Sequence, residues 1–351
     1  MSGLSRRQFL ETAGAAAGAS LIATPGAGAA QDSAASSSIT LACADYIRYT
    51  PLATGDVRPT GATLTWLRGD RSEMLRRASS DPTVDGGENS LAQHILRVDR
   101  GDRSLVAVPV FILRNFTVRD LYTVKGSPLT PPGLNGRRIG IYNWAASGAV
   151  WYRQLVRYFG QDPKRVNWVV GSPDAATPIN VPVPLPSNVV LAPSGKSLTD
   201  LLLAREIDAF FAPLPPRSYH AGDGPIVRLV PEFRPVEARY FKDTGCYPPQ
   251  HVLLLRRAVW ESRPALGPML VDLFQQCEAR FHASQRLYPY NAPWLIAEIE
   301  ETERLMGPDY HAHGLEKNRQ AMDVFCQSAF DDGLTGRRLT VDEVFAEFLK
   351  G

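Results

Sequence analysis

Several residues along the chain are of types that receive a small anion. Arg114 closes a predicted strand, and a guanidinium at a strand end can bind a carboxylate through two parallel hydrogen bonds. Further on, a helix predicted to start near Ala145 offers unpaired backbone N–H groups and a partial positive charge. Asn143, Trp144 and Ser147 flank this helix start and supply two side-chain donors and an aromatic wall. The pattern predicts an anion site that combines Arg114 with the helix start.

These residues also have structural alternatives, which the sequence leaves open. Arg114 is equally suited to an ion pair with Glu88 or Asp120 inside one lobe. Asn143 is a residue type that caps a helix start, and Trp144 is large enough to pack in a hinge between lobes.

A second group of residues suits acid–base chemistry. Glu88 and Ser90 follow a predicted Asp-Gly-Gly turn and precede a predicted helix. Asp45 and Tyr46 end the first strand, and ligands gather beyond the carboxyl ends of strands in open α/β folds. His251 enters a later strand near the predicted hinge, where an imidazole can act as a general acid. The alternatives are a helix-start carboxylate for Glu88, a turn for Asp45 and a structural role for His251.

The remaining polar motifs do not indicate a site. His311 and His313 are two residues apart with no third ligand at helical spacing, so we expect a solvated loop here rather than a metal site. The cysteines have no C-x-x-C spacing and are expected to be buried thiols rather than disulfide partners. They are Cys43, Cys246, Cys277 and Cys326. No Ser/His/Asp order, P-loop or G-x-G-x-x-G motif is present in the sequence, which leaves acyl transfer and nucleotide chemistry without support.

Predicted strands alternate with predicted helices along most of the chain, a pattern typical of an α/β protein with helix-covered sheets. The order of elements predicts two lobes. Residues 39–124 begin the first lobe, residues 125–249 form the second, and residues 250–351 return to the first lobe with C-terminal helices. A ligand is expected in the central cleft between the lobes.

Several segments of the chain resemble the 4,5-dihydroxyphthalate decarboxylase family. They are residues 41–46 (LACADY), 101–111 (GDRSLVAVPVF), 149–151 (AVW), 293–297 (PWLIA), 300–302 (EET) and 314–319 (GLEKNR). The resemblance runs in order from about residue 39 to residue 345. It implies the type II periplasmic binding protein fold, which serves both enzymes and transport components.

The same resemblance implies a cofactor-independent decarboxylase of 4,5-dihydroxyphthalate or a related aromatic dicarboxylate. In that role Arg114 would hold the retained carboxylate, His251 or Glu88 would supply the proton, and Phe116 with Trp144 would form an apolar pocket. The family pattern that begins at Arg114 reads arginine, any residue, phenylalanine, arginine, histidine. Here it continues after Phe116 with threonine and valine, so one cation and one imidazole are absent.

The N-terminal residues resemble a twin-arginine export leader. Arg6 and Arg7 precede an apolar run of small residues at 13–23, and the segment AGAA at 27–30 suits a signal peptidase. The run is too short to span a bilayer, which needs about 20 residues. The sequence therefore predicts a leader over residues 1–30, a polar linker over residues 31–38, passage through the twin-arginine translocase and a periplasmic location.

Composition narrows the class of partner. The 351 residues carry 38 Lys+Arg against 36 Asp+Glu, a net charge of +2, so no basic field exists for nucleic acid. Together with the leader and the departure from the family pattern, this favours an exported solute-binding protein that captures a small aromatic or carboxylated acid for an ABC-type permease. The alternative is the decarboxylase. Neither requires a metal or an organic cofactor.

Overall fold

The computed structural model describes residues 37–221, 223–287 and 292–350. The predicted leader and residues 31–36 of the predicted linker lie outside the described residues. Within the described part of the chain, no helix combines the length and the apolarity that crossing a membrane requires.

The strands of the described chain form two mixed sheets, one of five strands and one of six. In chain order the strands are β1 (Ser37–Ala44), β2 (Ala62–Gly69), β3 (Gly86–Ser90), β4 (Leu105–Arg114), β5 (Leu121–Val124), β6 (Arg138–Ile141), β7 (Asn167–Val170), β8 (Val189–Leu191), β9 (Ala209–Phe211), β10 (Ile226–Arg228) and β11 (Pro249–Arg256).

The helices connect these strands and cover the sheets. In chain order they are α1 (Thr50–Thr54), α2 (Arg71–Ser80), α3 (Leu91–Asp99), α4 (Ser147–Tyr158), α5 (Leu198–Leu203), α6 (Phe233–Thr244), α7 (Arg257–Ser262), α8 (Leu266–Leu287), α9 (Leu295–Met306), α10 (Arg319–Asp331) and α11 (Val341–Val344).

The first sheet has the order β2-β1-β3-β11-β4, with β1 parallel to β2 and β3, and β11 antiparallel to β3 and β4. Gly86 and Gly87, predicted to form a turn, instead lie inside β3. A Cβ at Gly86 would come within 2.2 Å of the Leu254 carbonyl oxygen, and one at Gly87 within 2.0 Å of the Ala42 carbonyl oxygen. Glycine is therefore required because the neighbouring strands approach so closely. This central strand carries Glu88 into the middle of the sheet.

The second sheet has the order β10-β5-β9-β6-β7-β8. Its β5 pairs with β9 and β10, so that Leu121 lies opposite Phe211 and Val124 opposite Ile226. The predicted boundary of the first lobe at residue 124 is therefore wrong, because the chain has crossed to the second sheet before Leu121. The return crossover is made by β11, which belongs to the first sheet.

Hydrophobic cores lie against both sheets. In the first lobe, apolar side chains of β1, β4 and β11 pack against α8, where Phe274 is fully buried. A larger core contains residues of both lobes, including Ile95 of α3, Trp151 of α4 and Phe325 of α10. Thus α8 packs on the first lobe, as predicted, and α10 packs against α4 of the second. The cysteines are free and buried, as predicted.

Candidate functional site

Glu88 is a carboxylate in the centre of the first sheet. It lies on β3 between β1 and β11 and is 0% exposed. Its Oε2 accepts a hydrogen bond from the Ala44 backbone N–H at 2.8 Å. Its Oε1 accepts one from the Tyr46 hydroxyl at 2.6 Å and one from His251 Nδ1 at 2.5 Å. These three donors compensate for the loss of water around the carboxylate.

The surroundings of Glu88 keep it ionised. Burial by itself raises the pKa of this carboxyl group, but the hydrogen bond and charge of His251, with the hydrogen bonds from Tyr46 and Ala44, bring the pKa below its usual value. Burial and the charge of Glu88 raise the pKa of the Tyr46 hydroxyl. Tyr46 therefore keeps its proton and acts as a donor.

His251 stands opposite Ser90 where β11 pairs with β3. Because its Nδ1–H donates to the ionised Glu88, the neutral imidazole carries its lone pair on Nε2. Nε2 makes no hydrogen bond to any described residue, and the side chain is 12% exposed. Nε2 is therefore the atom of this pair that remains available to a ligand.

Arg71, which the sequence did not single out, lies next to the same group. It begins α2 directly after β2, and its guanidinium carbon is 5.8 Å from the centroid of the Tyr46 ring. Its Nε is buried without a hydrogen-bond partner, and no carboxylate of the described chain pairs with the side chain. The strand-end argument used for Asp45 and Tyr46 applies equally to a residue that follows β2, and would have found Arg71.

Hydrogen bonds join the two lobes beside this group. The hydroxyl oxygens of Ser90 and Ser147 are 2.8 Å apart, and Ser147 Oγ also accepts the Ala92 backbone N–H at 3.0 Å. Gln93 Nε2 donates to the Ala145 carbonyl oxygen at 3.0 Å. The predicted ligand residues Ser90 and Ser147 therefore link β3 and α3 to the start of α4.

We call Glu88, His251, Tyr46 and Arg71 the acid–base cluster. A buried carboxylate behind an imidazole fixes the orientation of the ring, as in enzymes that use histidine as acid and base. A guanidinium without a partner can hold an anion. The arrangement is thus able to bind a small acid and to exchange a proton at His251 Nε2.

Three predicted ligand residues are not part of the acid–base cluster. Asp45 is exposed and lies 3.5 Å from Arg68 in an ion pair. Asn143 Oδ1 accepts the Ala145 backbone N–H at 2.8 Å in the loop before α4. The capping alternative is wrong, because α4 starts at Ser147 and its N-cap, Ala146, has no side-chain hydrogen bond. Trp144 is 2% exposed and packs inside the second lobe, with the Arg153 guanidinium carbon 4.0 Å from its ring centroid. The prediction of an aromatic wall at Trp144 is therefore wrong.

Arg114 is buried and forms its hydrogen bonds inside the protein. It is 6% exposed, and burial lowers its pKa to about 10. Nη1 donates to the Tyr247 carbonyl oxygen at 3.1 Å, and Nη2 donates to the Ala312 carbonyl oxygen at 3.0 Å and to Asn318 Oδ1. The predicted position of Arg114 at an open cleft edge is therefore wrong. The alternative, an ion pair with Glu88 or Asp120, is also wrong, because two backbone carbonyls and the Asn318 amide accept the hydrogen bonds of the guanidinium.

Phe116 borders a different space. It lines a cavity of about 700 Å³ together with Tyr247, Tyr310 and His311, and the acid–base cluster is not part of this lining. Four carboxylates also line the cavity: Glu232, Glu237, Glu298 and Glu301.

The loop with His311 and His313 is folded onto α8. The His313 backbone N–H donates to Gln275 Oε1 at 3.0 Å, and His313 is 6% exposed. His311 Nδ1 and His313 Nε2 lie 3.7 and 3.8 Å from the two oxygens of the buried Glu278. The prediction of a solvated loop is wrong, because packing against α8 buries His313 and leaves the His311 side chain only 18% exposed.

Comparison with known proteins agrees with the resemblance seen in the sequence. The chain is 29% identical over 317 residues to a 4,5-dihydroxyphthalate decarboxylase of Comamonas testosteroni. The aligned region covers 88% of this chain and 96% of that protein. The chain is thus similar in sequence to the 4,5-dihydroxyphthalate decarboxylases. A decarboxylase of the same name from Pseudomonas putida is 27% identical over 189 residues, 52% of this chain and 73% of that one. No model of a protein family matches the chain.

Solved structures show the fold of the chain. The periplasmic aliphatic sulphonate binding protein SsuA of Escherichia coli matches with a TM-score of 0.52 at 14% identity, over 88% of this chain and 96% of that one. The alkanesulfonate-binding protein SsuA of Xanthomonas axonopodis pv. citri, bound to MOPS, matches with a TM-score of 0.50 at 13% identity, over 89% and 99%. The predicted periplasmic binding protein fold is confirmed.

Proposed function

We propose that the chain binds a small aromatic carboxylate at the acid–base cluster and releases one of its carboxyl groups as carbon dioxide. The observation that carries this proposal is the pair of Glu88 and His251, in which an ionised, buried carboxylate holds the imidazole and leaves Nε2 unpaired. The names of the two decarboxylase relatives support the same chemistry.

The reaction needs a proton donor and a site for the retained negative charge. Arg71 holds a carboxylate of the substrate, and the His251 imidazolium, stabilised by Glu88, donates its Nε2 proton to the ring carbon that bears the departing carboxylate. The bond between that carbon and the carboxylate breaks, its electron pair restores the aromatic ring, and carbon dioxide leaves. Ring hydroxyls delocalise the charge in the protonated intermediate. A proton from water returns to Nε2.

The test is carbon dioxide release from 4,5-dihydroxyphthalate by the purified chain. We expect release by the wild-type chain and a loss of at least a hundredfold in kcat in both His251→Gln and Glu88→Gln, because general acid catalysis contributes about 10²–10⁴-fold. His220→Gln, which removes an exposed histidine, is the matched control and should keep full activity. A folded wild-type chain that leaves this substrate unchanged contradicts the proposal.

The second candidate is an exported solute-binding protein that delivers the intact acid to an ABC-type permease. The fold shared with the sulphonate-binding proteins and the twin-arginine leader of the sequence favour it. Both candidates place a small acid at the same cluster, and the predicted leader would direct both to the periplasm. Mass spectrometry of the same reaction mixture separates them, since a binder retains 4,5-dihydroxyphthalate unaltered, whereas the enzyme yields its decarboxylated product.

A further inference from the structure

A cluster of two histidines and a glutamate lies beside the 700 Å³ cavity and takes no part in the proposed reaction. Glu278 and His282 are four residues apart on α8, so they face the same side of that helix. The loop after α9 brings His311 against them. One ligand atom from each of the three side chains lies within 4.8 Å of the other two.

The polar atoms of this cluster are buried without hydrogen bonds. Both carboxylate oxygens of Glu278, Nε2 of His282 and Nδ1 of His311 have no hydrogen-bond partner among the described residues. Glu278 Oε1 lies 3.0 Å from Arg48 Nε in an ion pair, so three atoms remain without a partner among the described residues. A single buried polar atom without a partner costs about 1–3 kcal/mol, so three in one place require an explanation. Glu278 itself is 2% exposed.

The contacts around the cluster show which of its polar atoms already have a partner and which remain free. His313 Nδ1 accepts the Phe111 backbone N–H at 3.2 Å, so in the neutral ring the proton is on Nε2, which faces Glu278 Oε1. The same Oε1 lies 3.0 Å from Arg48 Nε in an ion pair. Oε2 therefore remains for another partner. His282 Nδ1 lies 3.3 Å from the Tyr310 hydroxyl, which leaves its Nε2 free.

We infer that Glu278 Oε2, His282 Nε2 and His311 Nδ1 bind a divalent transition-metal ion. A histidine that binds a metal usually donates its second ring N–H to an oxygen acceptor, and the Tyr310 hydroxyl oxygen can be that acceptor for His282 Nδ1. Two imidazoles and one carboxylate suit Zn²⁺ or a neighbouring first-row ion, whereas Mg²⁺ and Ca²⁺ prefer oxygen ligands. The ion pair between Arg48 and Glu278 Oε1 offsets the positive charge of Arg48, and this weakens its repulsion of the metal ion.

The cavity gives this site an open side. His311 and Tyr310 are part of its lining, so a water molecule or an anionic group can reach the coordination positions that the protein leaves vacant. The cavity lining also holds four glutamates against one arginine, Arg234, which pairs with Glu298 and Glu301, so its net negative charge favours the entry of a cation. The site is independent of the proposed decarboxylation, since it shares no residue with the acid–base cluster.

The experiment is equilibrium dialysis of the full-length chain, purified without a polyhistidine tag and stripped with EDTA, against Zn²⁺. We expect about one ion per chain. His282→Gln and His311→Gln should each raise the Kd by roughly a hundredfold or more, and Tyr310→Phe by about tenfold, because second-shell losses cost 10–100-fold. His220→Gln removes an exposed histidine outside the cluster and should leave the Kd unchanged.

Co²⁺ provides a readout that is independent of any reaction. A visible absorption band of the Co²⁺-loaded wild-type chain should disappear in His282→Gln and persist in His220→Gln, with circular dichroism used to confirm that each variant is folded. Tyr310→Phe tests the assignment even if a histidine variant does not fold. The inference is overturned if the folded wild-type chain binds no Zn²⁺, or if His220→Gln weakens binding as much as His282→Gln.

Discussion

Two arginines show how partners decide the role of a residue type. Arg114 donates hydrogen bonds to the carbonyl oxygens of Tyr247 and Ala312. Arg71 has no such acceptor among the described residues and lies against the ring of Tyr46. The Nη1 and Nη2 donors of Arg114 are therefore taken, and its remaining donor, Nε–H, is buried. For this reason we propose Arg71, and not Arg114, as the anion receptor of the acid–base cluster.

At the same scale we predict that Arg71→Met weakens the binding of phthalate by roughly tenfold to a hundredfold, because a charge-assisted hydrogen bond contributes about 1.5–3 kcal/mol. Titration calorimetry measures the loss. The matched control is Arg68→Met, which removes an arginine whose side chain is 52% exposed and paired with Asp45. Equal affinity of Arg71→Met and wild type would show that the guanidinium does not contact the ligand.

At the scale of elements, α3 joins the C-terminal helix α11 through a buried histidine. His94 on α3 is 3% exposed, and its Nε2 lies 3.1 Å from the Val344 carbonyl oxygen of α11. Burial is the main cause that lowers the pKa of His94 to about 4. The contact between the two helices therefore depends on an imidazole that stays neutral.

This neutral imidazole predicts acid sensitivity. The unfolded chain binds a proton at His94 below about pH 6.5, and the folded chain does so only near pH 4, so the free energy of unfolding falls as the pH drops through this window. The loss amounts to roughly 3 kcal/mol at its full extent. Urea unfolding from pH 7 to pH 4 should show a steeper decline for wild type than for His94→Gln, which keeps a donor for Val344. Parallel declines would refute the assignment.

At the scale of the whole molecule, one hydrophobic core contains residues from both lobes, and the pair of Ser90 and Ser147 joins them next to the acid–base cluster. Arg48 lies between the two sites described above, since it pairs with Glu278 and its guanidinium carbon is 5.1 Å from the centroid of the Tyr46 ring. The sites therefore lie in one connected body of packed side chains.

The first residues of the chain carry the predicted twin-arginine leader. If the translocase reads the pair of Arg6 and Arg7, a variant with Arg6→Lys and Arg7→Lys should stay in the cytoplasm. Immunoblots of cytoplasmic and periplasmic fractions measure this. The matched control is Arg137→Lys with Arg138→Lys, an arginine pair on the folded surface, which should be exported normally. Periplasmic accumulation of the first variant would argue against this export route.

The sequence by itself determined the fold class and the resemblance to the decarboxylases. The alternation of strands and helices, together with the late strand β11, depends on local hydrophobic patterns, and these are readable without coordinates. Residues at strand ends, such as Tyr46, were found for the same reason. Glycines 86 and 87 misled the prediction, since a turn and a crowded central strand both require glycine.

Only the tertiary structure decided which side chains meet. In the folded chain Glu88 pairs with His251, and Arg71 has no hydrogen-bond partner among the described residues. Arg114 is buried in the interior, and His311 lies against Glu278 and His282. These contacts join residues far apart in the chain, and they depend on strand register and on how a loop packs against a helix. Strand register and loop packing cannot be predicted from the spacing of residues, because both are fixed by the packing of the whole chain.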